Sequence, residues 1–438
     1  MSGVSGEASD GAPPGWALLS CSSGTAVASV CIFGVFDLQA LVGGVWSVAA
    51  VVMAGLLCQL LARRVARLYA VCPSGAGLIA QISRALGRSA ALIAVLPYLL
   101  LTLCLVGAES ALCGLVLAQV LPIPAPLGSL LFLGATWALC RRGVRLGQVA
   151  QAVCTGALFI GLIGLATALM IDTASRGLLL ARLSAPTPSF AALAAATGQA
   201  LFLFMGFELV TFQAGGRAPQ RVGAVLGLSV ALLTGFYAAV ALGIACLPVA
   251  FERGVLAAPQ MLLAGHGGGK VAMIAIGVVS LLASYTSFNG ALLALSRLAA
   301  ALSAQGLLPR ALARVEPRSQ VPRRALDALL VVSVAATAIV LTSGAILPPI
   351  LAAAAAAAAM YAAAALARER PPFREDHRGR ARRGLGMVFA GGLVVLGIGA
   401  VLDAPSLRDL IAAVSLLALA YAGALALARR AARRRSHG

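Results

Sequence analysis

The stretch Phe204-Met205-Gly206-Phe207-Glu208 places a glycine and an acid side by side within a run that is otherwise apolar from residue 191 to residue 214. A charged residue in the middle of a membrane helix costs about 2.5–3.5 kcal/mol on insertion scales, so it usually serves a pathway or a partner. The neighbouring glycine allows the helix to open and expose its backbone groups. Because carrier proteins place interrupted helices at their substrate sites, this stretch predicts a membrane transporter.

The composition indicates the same class of protein. Of the 438 residues, 61% are hydrophobic and 11% are charged, whereas soluble domains average about 25% charged residues. Nine cysteines lie mostly in apolar runs and form no Cys-x-x-Cys pair. We therefore expect them to be small buried hydrophobes, with no metal site and no cofactor.

The hydropathy pattern predicts twelve membrane spans, since about 20 apolar residues are needed to cross a bilayer. The predicted spans are residues 17–38, 41–62, 90–120, 126–140, 145–172, 191–214, 222–248, 270–301, 325–343, 345–367, 384–402 and 407–428. The fourth span is short, and the tenth is mostly alanine from Ala352 to Ala359.

The basic residues are concentrated on one side of this predicted membrane. The exceptions among the 33 basic residues are Arg176, Arg182, Arg253, Lys270 and Arg408. The positive-inside rule then predicts a multi-pass protein of the cell's inner (cytoplasmic) membrane with both termini in the cytoplasm. The net charge of +19 is a topology signal that adds attraction to membrane lipid, and its dispersal over loops argues against a nucleic-acid partner.

Four further segments follow one another along the chain. They are Pro73-Ser74-Gly75-Ala76-Gly77 with Ala85-Leu86-Gly87, then Arg142-Gly143-Val144-Arg145, then Gly206-Phe207-Glu208 with Pro219-Gln220-Arg221, and finally Asn289 with Ser296-Arg297, Gly306-Leu307-Leu308-Pro309 and Pro322. In this order they resemble motifs of the amino acid–polyamine–organocation (APC) superfamily, the amino acid permeases.

The resemblance implies an all-α polytopic membrane protein with a leucine-transporter-like fold of twelve transmembrane helices. Its five-plus-five inverted repeat would cover residues 17–172 and 191–367, with two additional helices over 384–428. A disordered cytoplasmic tail over 1–16 and a basic cytoplasmic tail over 429–438 would flank them. In such a fold helices 1 and 6 are broken near mid-membrane, and the half-helix ends bind the carboxylate and amine of the substrate.

Two features depart from the family pattern. The Gly-Ser-Gly break of helix 1 falls on Ser29-Val30-Cys31, so both glycines are replaced. The earlier run Ser20-Cys21-Ser22-Ser23-Gly24 is an alternative opening point, and an unbroken helix is a third reading. The lysine that many proton-coupled relatives carry in the fifth span is also missing, since Lys270 lies in an outer loop. Coupling to a proton or to sodium, exchange, and simple equilibration therefore all stay open.

Glu109 and Glu208 are the two acids in the middle of predicted spans. Glu109 aligns with a cavity-facing position, where an acid suits an amine anchor or a proton carrier; the alternative is a structural acid bonded to a neighbouring helix. Glu208 either contacts substrate or caps the broken helix. The candidate substrate-binding residues are Ser29, Val30, Cys31, Glu109, Phe202, Met205, Gly206, Phe207, Glu208 and Asn289. The candidate coupling residues are Glu109, Ser284 and Ser287, although such hydroxyls also hold membrane helices together.

These patterns favour a secondary active transporter that moves amino acids by alternating access, with a proton as the candidate coupling ion. We expect Phe202 and Phe204 near the substrate side chain and Asp37 solvated at an outer helix end. An amine or polyamine carrier, or an exchanger of the same fold, is the alternative, with Glu109 and Glu208 as cation anchors. A transporter-like substrate sensor is the alternative of another class. An enzyme is not expected, because no nucleophile–base constellation is present.

Overall fold

The computed structural model describes residues 15–73, 77–142, 144–213, 219–249, 252–253, 258–316, 321–370 and 380–435. Within these ranges the chain is almost entirely helical and has no strand. The predicted tail over 1–16 lies outside the described residues except for its last two, and Ser74, Gly75, Ala76 and Gly143 of the motifs lie outside them as well.

The helices follow one another with short connections. In chain order they are α1 Gly15–Thr25, α2 Ser29–Val42, α3 Gly44–Val71, α4 Gly77–Leu86, α5 Arg88–Val120, α6 Ala125–Arg142, α7 Val144–Ser175, α8 Leu179–Leu183, α9 Phe190–Ala200, α10 Val210–Gln213, α11 Pro219–Ala245, α12 Pro259–Ala304, α13 Arg323–Ser343, α14 Leu347–Arg368, α15 Arg380–Leu402 and α16 Leu407–Arg435. Short 3₁₀ segments cover Leu201–Phe204, Phe207–Leu209 and Arg310–Ala313.

Most of these helices are membrane spans. In the described ranges, ten are long and apolar enough to cross a bilayer, and α1 with α2, bent by 50° at their break, brings the number to 11. The fourth predicted span corresponds to α6, which is only 18 residues long, ends in two arginines and is not among these spans. The all-α polytopic fold is thus confirmed, while the count of twelve and the inverted repeat stay predictions.

Side-chain contacts define two ends of the helical bundle. At the first end, which we call the arginine-rich end, the contacts are Arg64 with Glu369, Arg88 with Gln305 and Arg141 with Asp327. At the opposite end they are Arg182 with the Leu247 carbonyl, Arg253 with Asp403 and Arg408 with the Ser343 carbonyl. These pairs divide the arginines between the two ends as the loop pattern predicts.

Small residues allow the spans to approach closely. A Cβ added to Gly107 would lie 2.5 Å from the Ala336 Cβ, and one added to Gly243 would lie 2.5 Å from the Ala166 Cβ. Apolar lipid provides no hydrophobic driving force for helix association, so van der Waals packing of this kind holds membrane helices together. The alanine-rich α14 is the most buried of the spans and packs against α5 and α15.

Candidate functional site

The first break lies between α1 and α2, at residues 26–28. Ala28 is extended, with φ −143° and ψ 164°, so the helical ladder stops there and restarts at Ser29. The alternative opening point, residues 20–24, stays within α1. The helix therefore opens directly before the Ser29-Val30-Cys31 position rather than on it.

Hydroxyl groups from other helices satisfy the carbonyl groups that this break leaves free. Tyr237 of α11 donates to the Ala26 carbonyl at 2.6 Å. Ser287 of α12 donates to the Thr25 carbonyl at 2.8 Å, and Thr286 lies 3.3 Å from the Gly24 carbonyl. In lipid each unsatisfied backbone group is costly, so these hydroxyls stabilise the open helix.

The free amide groups on the other side of the break are held by Glu109. The N–H of Ser29 donates to Oε1 at 2.8 Å, and the N–H of Val30 donates to Oε2 at 2.6 Å. Glu109 comes from the middle of α5 and is 2% exposed. The hydroxyls of Ser29 and Ser284 lie 2.9 Å apart beside this pair. A carboxylate therefore sits at the N-terminal end of α2, where the helix attracts negative charge.

The second break follows α9 and is centred on Gly206. This glycine has φ +104° and ψ −18°, a left-handed conformation that disfavours any side chain. A Cβ at this position would lie 3.2 Å from the Thr25 carbonyl oxygen of the first break. The hydroxyl of Ser22 in α1 donates to the Phe207 carbonyl at 2.8 Å, so the second break contacts the helix that precedes the first break.

Glu208 faces the protein rather than the space between the breaks. Its Oε1 accepts from the hydroxyl of Tyr98 on α5, and its Oε2 accepts from the hydroxyl of Tyr361 on α14 at 3.0 Å. The side chain is completely buried, with 0% exposure. This geometry agrees with an acid that fixes the broken helix to α5 and α14.

A cavity lies between the two breaks and encloses about 510 Å³ of space between atoms, part of it open to solvent. It is lined by Thr25, Ala28, Val30, Cys31, Tyr98, Thr102, Leu105, Val106, Glu109, Phe202, Met205, Gly206, Leu209, Ser287, Phe288 and Ala291. Since α5 starts at the arginine-rich end, its lining residues from Tyr98 to Val106 put the cavity on that side of Glu109.

Most of the predicted site residues meet around this cavity. Its lining includes the predicted residues Val30, Cys31, Glu109, Phe202, Met205, Gly206 and Ser287. Ser29 and Ser284 lie directly behind Glu109, while Phe204, Phe207 and Glu208 are buried without lining the cavity. Asn289 accepts from the Cys140 thiol of α6 at 3.2 Å and also does not line it.

Several lining residues were not expected from the sequence. Tyr98, Thr102 and Phe288 each contribute to the cavity wall. Tyr98 precedes Glu109 by eleven residues, about three helical turns, so both lie on one face of α5. This helical spacing could have predicted Tyr98 at the cavity from the sequence.

The opposite end carries an ionic cluster that corrects the expectation for Asp37. This side chain is 0% exposed instead of solvated. Gln199 of α9 donates to its Oδ2 at 2.5 Å, and Arg253 lies 3.4 Å from the same oxygen. Arg253 also contacts Asp403 at 3.0 Å. Burial raises the pKa of the Asp403 carboxyl, and the Arg253 charge opposes that rise.

The helical spans define a multi-pass membrane protein whose two helix breaks face one cavity. A family model described as amino acid permease matches residues 18–402. The chain therefore belongs to the amino acid permease family, within the superfamily that the sequence motifs resemble. A comparison with curated proteins gave no match. Membership of this family implies that the chain transports a small-molecule substrate.

Proposed function

We propose that this permease is a secondary carrier that moves a small or medium neutral amino acid across the cytoplasmic membrane by alternating access. The observation that carries the proposal is the cavity between the two breaks, with Val30, Glu109 and Gly206 in its wall. By the positive-inside rule, the arginine-rich end faces the cytoplasm. The cavity then lies on the cytoplasmic side of Glu109.

The character of the cavity wall supports a neutral substrate with a modest side chain. Glu109 is the only ionisable carboxyl group among the residues that line the cavity, and the remaining polar groups are hydroxyls and thiol. Phe202, Met205 and Phe288 form an apolar section of the wall that suits an aliphatic side chain. An additional charge on the substrate would find no partner of its own there, and its desolvation would be costly.

The proposal assigns proton coupling to Glu109. This acid lies at the cavity, where a proton can reach it, whereas Glu208 is enclosed by two tyrosine hydroxyls. Acids within membrane spans commonly serve as proton relays in transporters. The missing lysine of the fifth span leaves Glu109 as the best-placed residue for this role.

A thermal-shift screen of the purified protein against amino acids tests substrate binding, because a ligand that binds only the folded state stabilises it. We expect small neutral amino acids to raise the unfolding temperature. Ala291→Leu, which fills part of the cavity, should remove the response. Ala275→Leu on the exposed face of the same helix α12 is the matched control and should retain it. No response to any amino acid would contradict the proposal.

An amine carrier is the second candidate, and one observation favours it. Glu109 already occupies the two N–H groups where an amino acid carboxylate would bind. An amine without a carboxylate would leave that contact intact. Each amino acid should therefore be screened beside its decarboxylated amine, for example alanine beside ethylamine. Stabilisation by the amines alone would favour this candidate, and binding without uptake into liposomes would indicate a sensor.

A further inference from the structure

The amides at the start of α2 have a particular arrangement. Ser29 and Val30 direct their N–H groups to the two oxygens of one carboxylate, at 2.8 and 2.6 Å. The next N–H group, that of Cys31, is already bonded to the Ala28 carbonyl at 3.0 Å. Glu109 thus satisfies both of the N–H groups that point away from the helix, and it does so from a residue 80 positions along the chain.

The charge on Glu109 has no cationic partner in the described part of the chain. No arginine, lysine or histidine there forms an ion pair with it. The titratable groups that face it are Cys113 of α5 at 3.9 Å, Cys31 of α2 and Tyr237 of α11. The Tyr237 hydroxyl is engaged with the Ala26 carbonyl. The carboxylate is therefore balanced by the two amide groups, the helix end and neighbouring neutral donors, without a cation.

We infer that Glu109 is an internal substitute for a ligand carboxylate: it fills the Ser29–Val30 amide site in the empty carrier, and an external carboxylate replaces it there. The exchange is possible because Glu109 also lines the cavity, so a ligand approaching the amides meets this side chain first. Protonation of Glu109 removes its charge and frees the amides for the incoming group. The identity of the external carboxylate as an amino acid rests on the proposed function.

The presence of Glu109 at the amide site has a consequence for the transport cycle. An empty carrier whose broken helix holds bare N–H groups would be trapped, because those groups cannot be left unsatisfied in the membrane interior. With Glu109 in place, the empty carrier keeps both N–H groups bonded and is able to reorient without substrate. The protein should therefore catalyse net transport, whereas a carrier without this acid would be restricted to exchanging one substrate molecule for another.

The amide site can be tested without knowing the substrate. In Glu109→Ala, sodium formate supplies a small carboxylate that fits the vacated position, and sodium chloride at equal ionic strength is the reference. Formate should raise the unfolding temperature of Glu109→Ala and leave the parent unchanged, because the parent site is filled. Glu208→Ala, which loses an acid held by tyrosines, is the matched control and should show no formate-specific rise. If Glu109→Ala does not fold in sodium chloride, its recovery as folded protein in sodium formate is the deciding measurement.

Equal formate effects in all three proteins, or none in any, would overturn the inference.

The transport consequence is measured in liposomes with the same pH on both sides and radiolabelled L-alanine as the probe. Relative to exchange into L-alanine-loaded vesicles, uptake into empty vesicles should fall at least about tenfold in Glu109→Gln, since a glutamine amide cannot accept from both N–H groups. Equal loss in both modes would contradict it. If the parent transports no L-alanine at all, the proposed function fails while the formate result still decides the amide site.

Discussion

Glu109 and Glu208 are both buried acids beside a helix break, yet different groups hold them. Two backbone N–H groups bind Glu109, which lines the cavity; two tyrosine hydroxyls bind Glu208, which does not. Neither forms an ion pair in the described ranges, in contrast to Asp37, which contacts Arg253. The difference lies in whether another molecule can replace the acid. In our inference a ligand in the cavity replaces Glu109 at the amides, whereas Glu208 does not line the cavity and is held between Tyr98 and Tyr361.

The two breaks differ in how firmly they are held. At the first break, Val30 lines the cavity together with Glu109, the acid that we infer to be replaced by a ligand. The break in the second helix is fixed, because Gly206 adopts a left-handed conformation and Glu208 is enclosed by α5 and α14. Substitutions at the two sites should therefore affect different measurements.

The largest effect should come from Glu109→Gln. This change keeps the shape but removes the titratable group, so proton-driven accumulation should be abolished. For one proton per substrate, a gradient of one pH unit supports about tenfold accumulation in the parent, and the variant should reach only the external concentration. The measurement is liposome uptake with an imposed pH gradient, beside counterflow without one. Counterflow should survive. Accumulation equal to that of the parent would exclude Glu109 as the coupling acid, and loss of counterflow would make it a substrate ligand.

Glu208→Ala should instead reduce stability. It leaves two buried phenol hydroxyls without an acceptor, which should lower the free energy of unfolding by about 2–4 kcal/mol. Denaturant unfolding in detergent micelles measures this change. Adding Tyr98→Phe and Tyr361→Phe to the variant should recover part of the loss, because the unsatisfied donors are then gone. A stable Glu208→Ala protein that has lost proton coupling would reverse the roles of the two acids.

Gly206→Ala sharpens the contrast at the second break. A side chain at φ +104° is strained, and its Cβ would lie 3.2 Å from Thr25, so we expect a loss of about 1–2 kcal/mol. Gly164→Ala is the matched control, because this helical glycine of α7 has open space around it. It should be neutral or stabilise by up to about 1 kcal/mol. If both variants unfold alike, the left-handed conformation is not needed in the folded protein.

The smallest effect concerns Asp403, an acid at the opposite end whose pKa is raised by burial. The folded protein then binds a proton more readily than the unfolded chain does. Its stability should therefore fall as the pH rises from the ordinary carboxyl pKa, about 3.9, toward the raised value. Asp403→Asn removes this dependence. Unfolding temperatures measured over a pH series should show a shallower slope for the variant, and identical slopes would assign the pH dependence to other groups.

The sequence was sufficient for the fold class because hydropathy alone reports which segments enter lipid. It also singled out both acids, since a charge inside an apolar run stands out without any knowledge of its neighbours. The break at Gly206 was likewise predicted from one residue, because glycine by itself permits the backbone conformation that the break requires. The break in the first helix was located within a few residues, because the bonds that position it come from α5, α11 and α12.

Partners from distant parts of the chain were the features that the sequence did not reveal. Asp37 is buried because Arg253, 216 positions away, reaches it from a loop. Asn289 was expected at the cavity but contacts Cys140, because the polar residues of α12 are not gathered on one face that would set its rotation. The phenols that hold Glu208 come from two other helices, and no local pattern links Tyr98 or Tyr361 to that acid.

The alanine run of α14 has one further consequence. Alanine has no side-chain torsion to immobilise, so packing the alanine run of this most buried span costs no side-chain conformational entropy. Its neighbours meet a smooth surface on which small displacements require no change of rotamer. A carrier repacks its interior in every cycle, and here the central contact surface has almost no rotamers to reset. Tyr361 follows that run, and its bond to Glu208 fixes α14 to the second break.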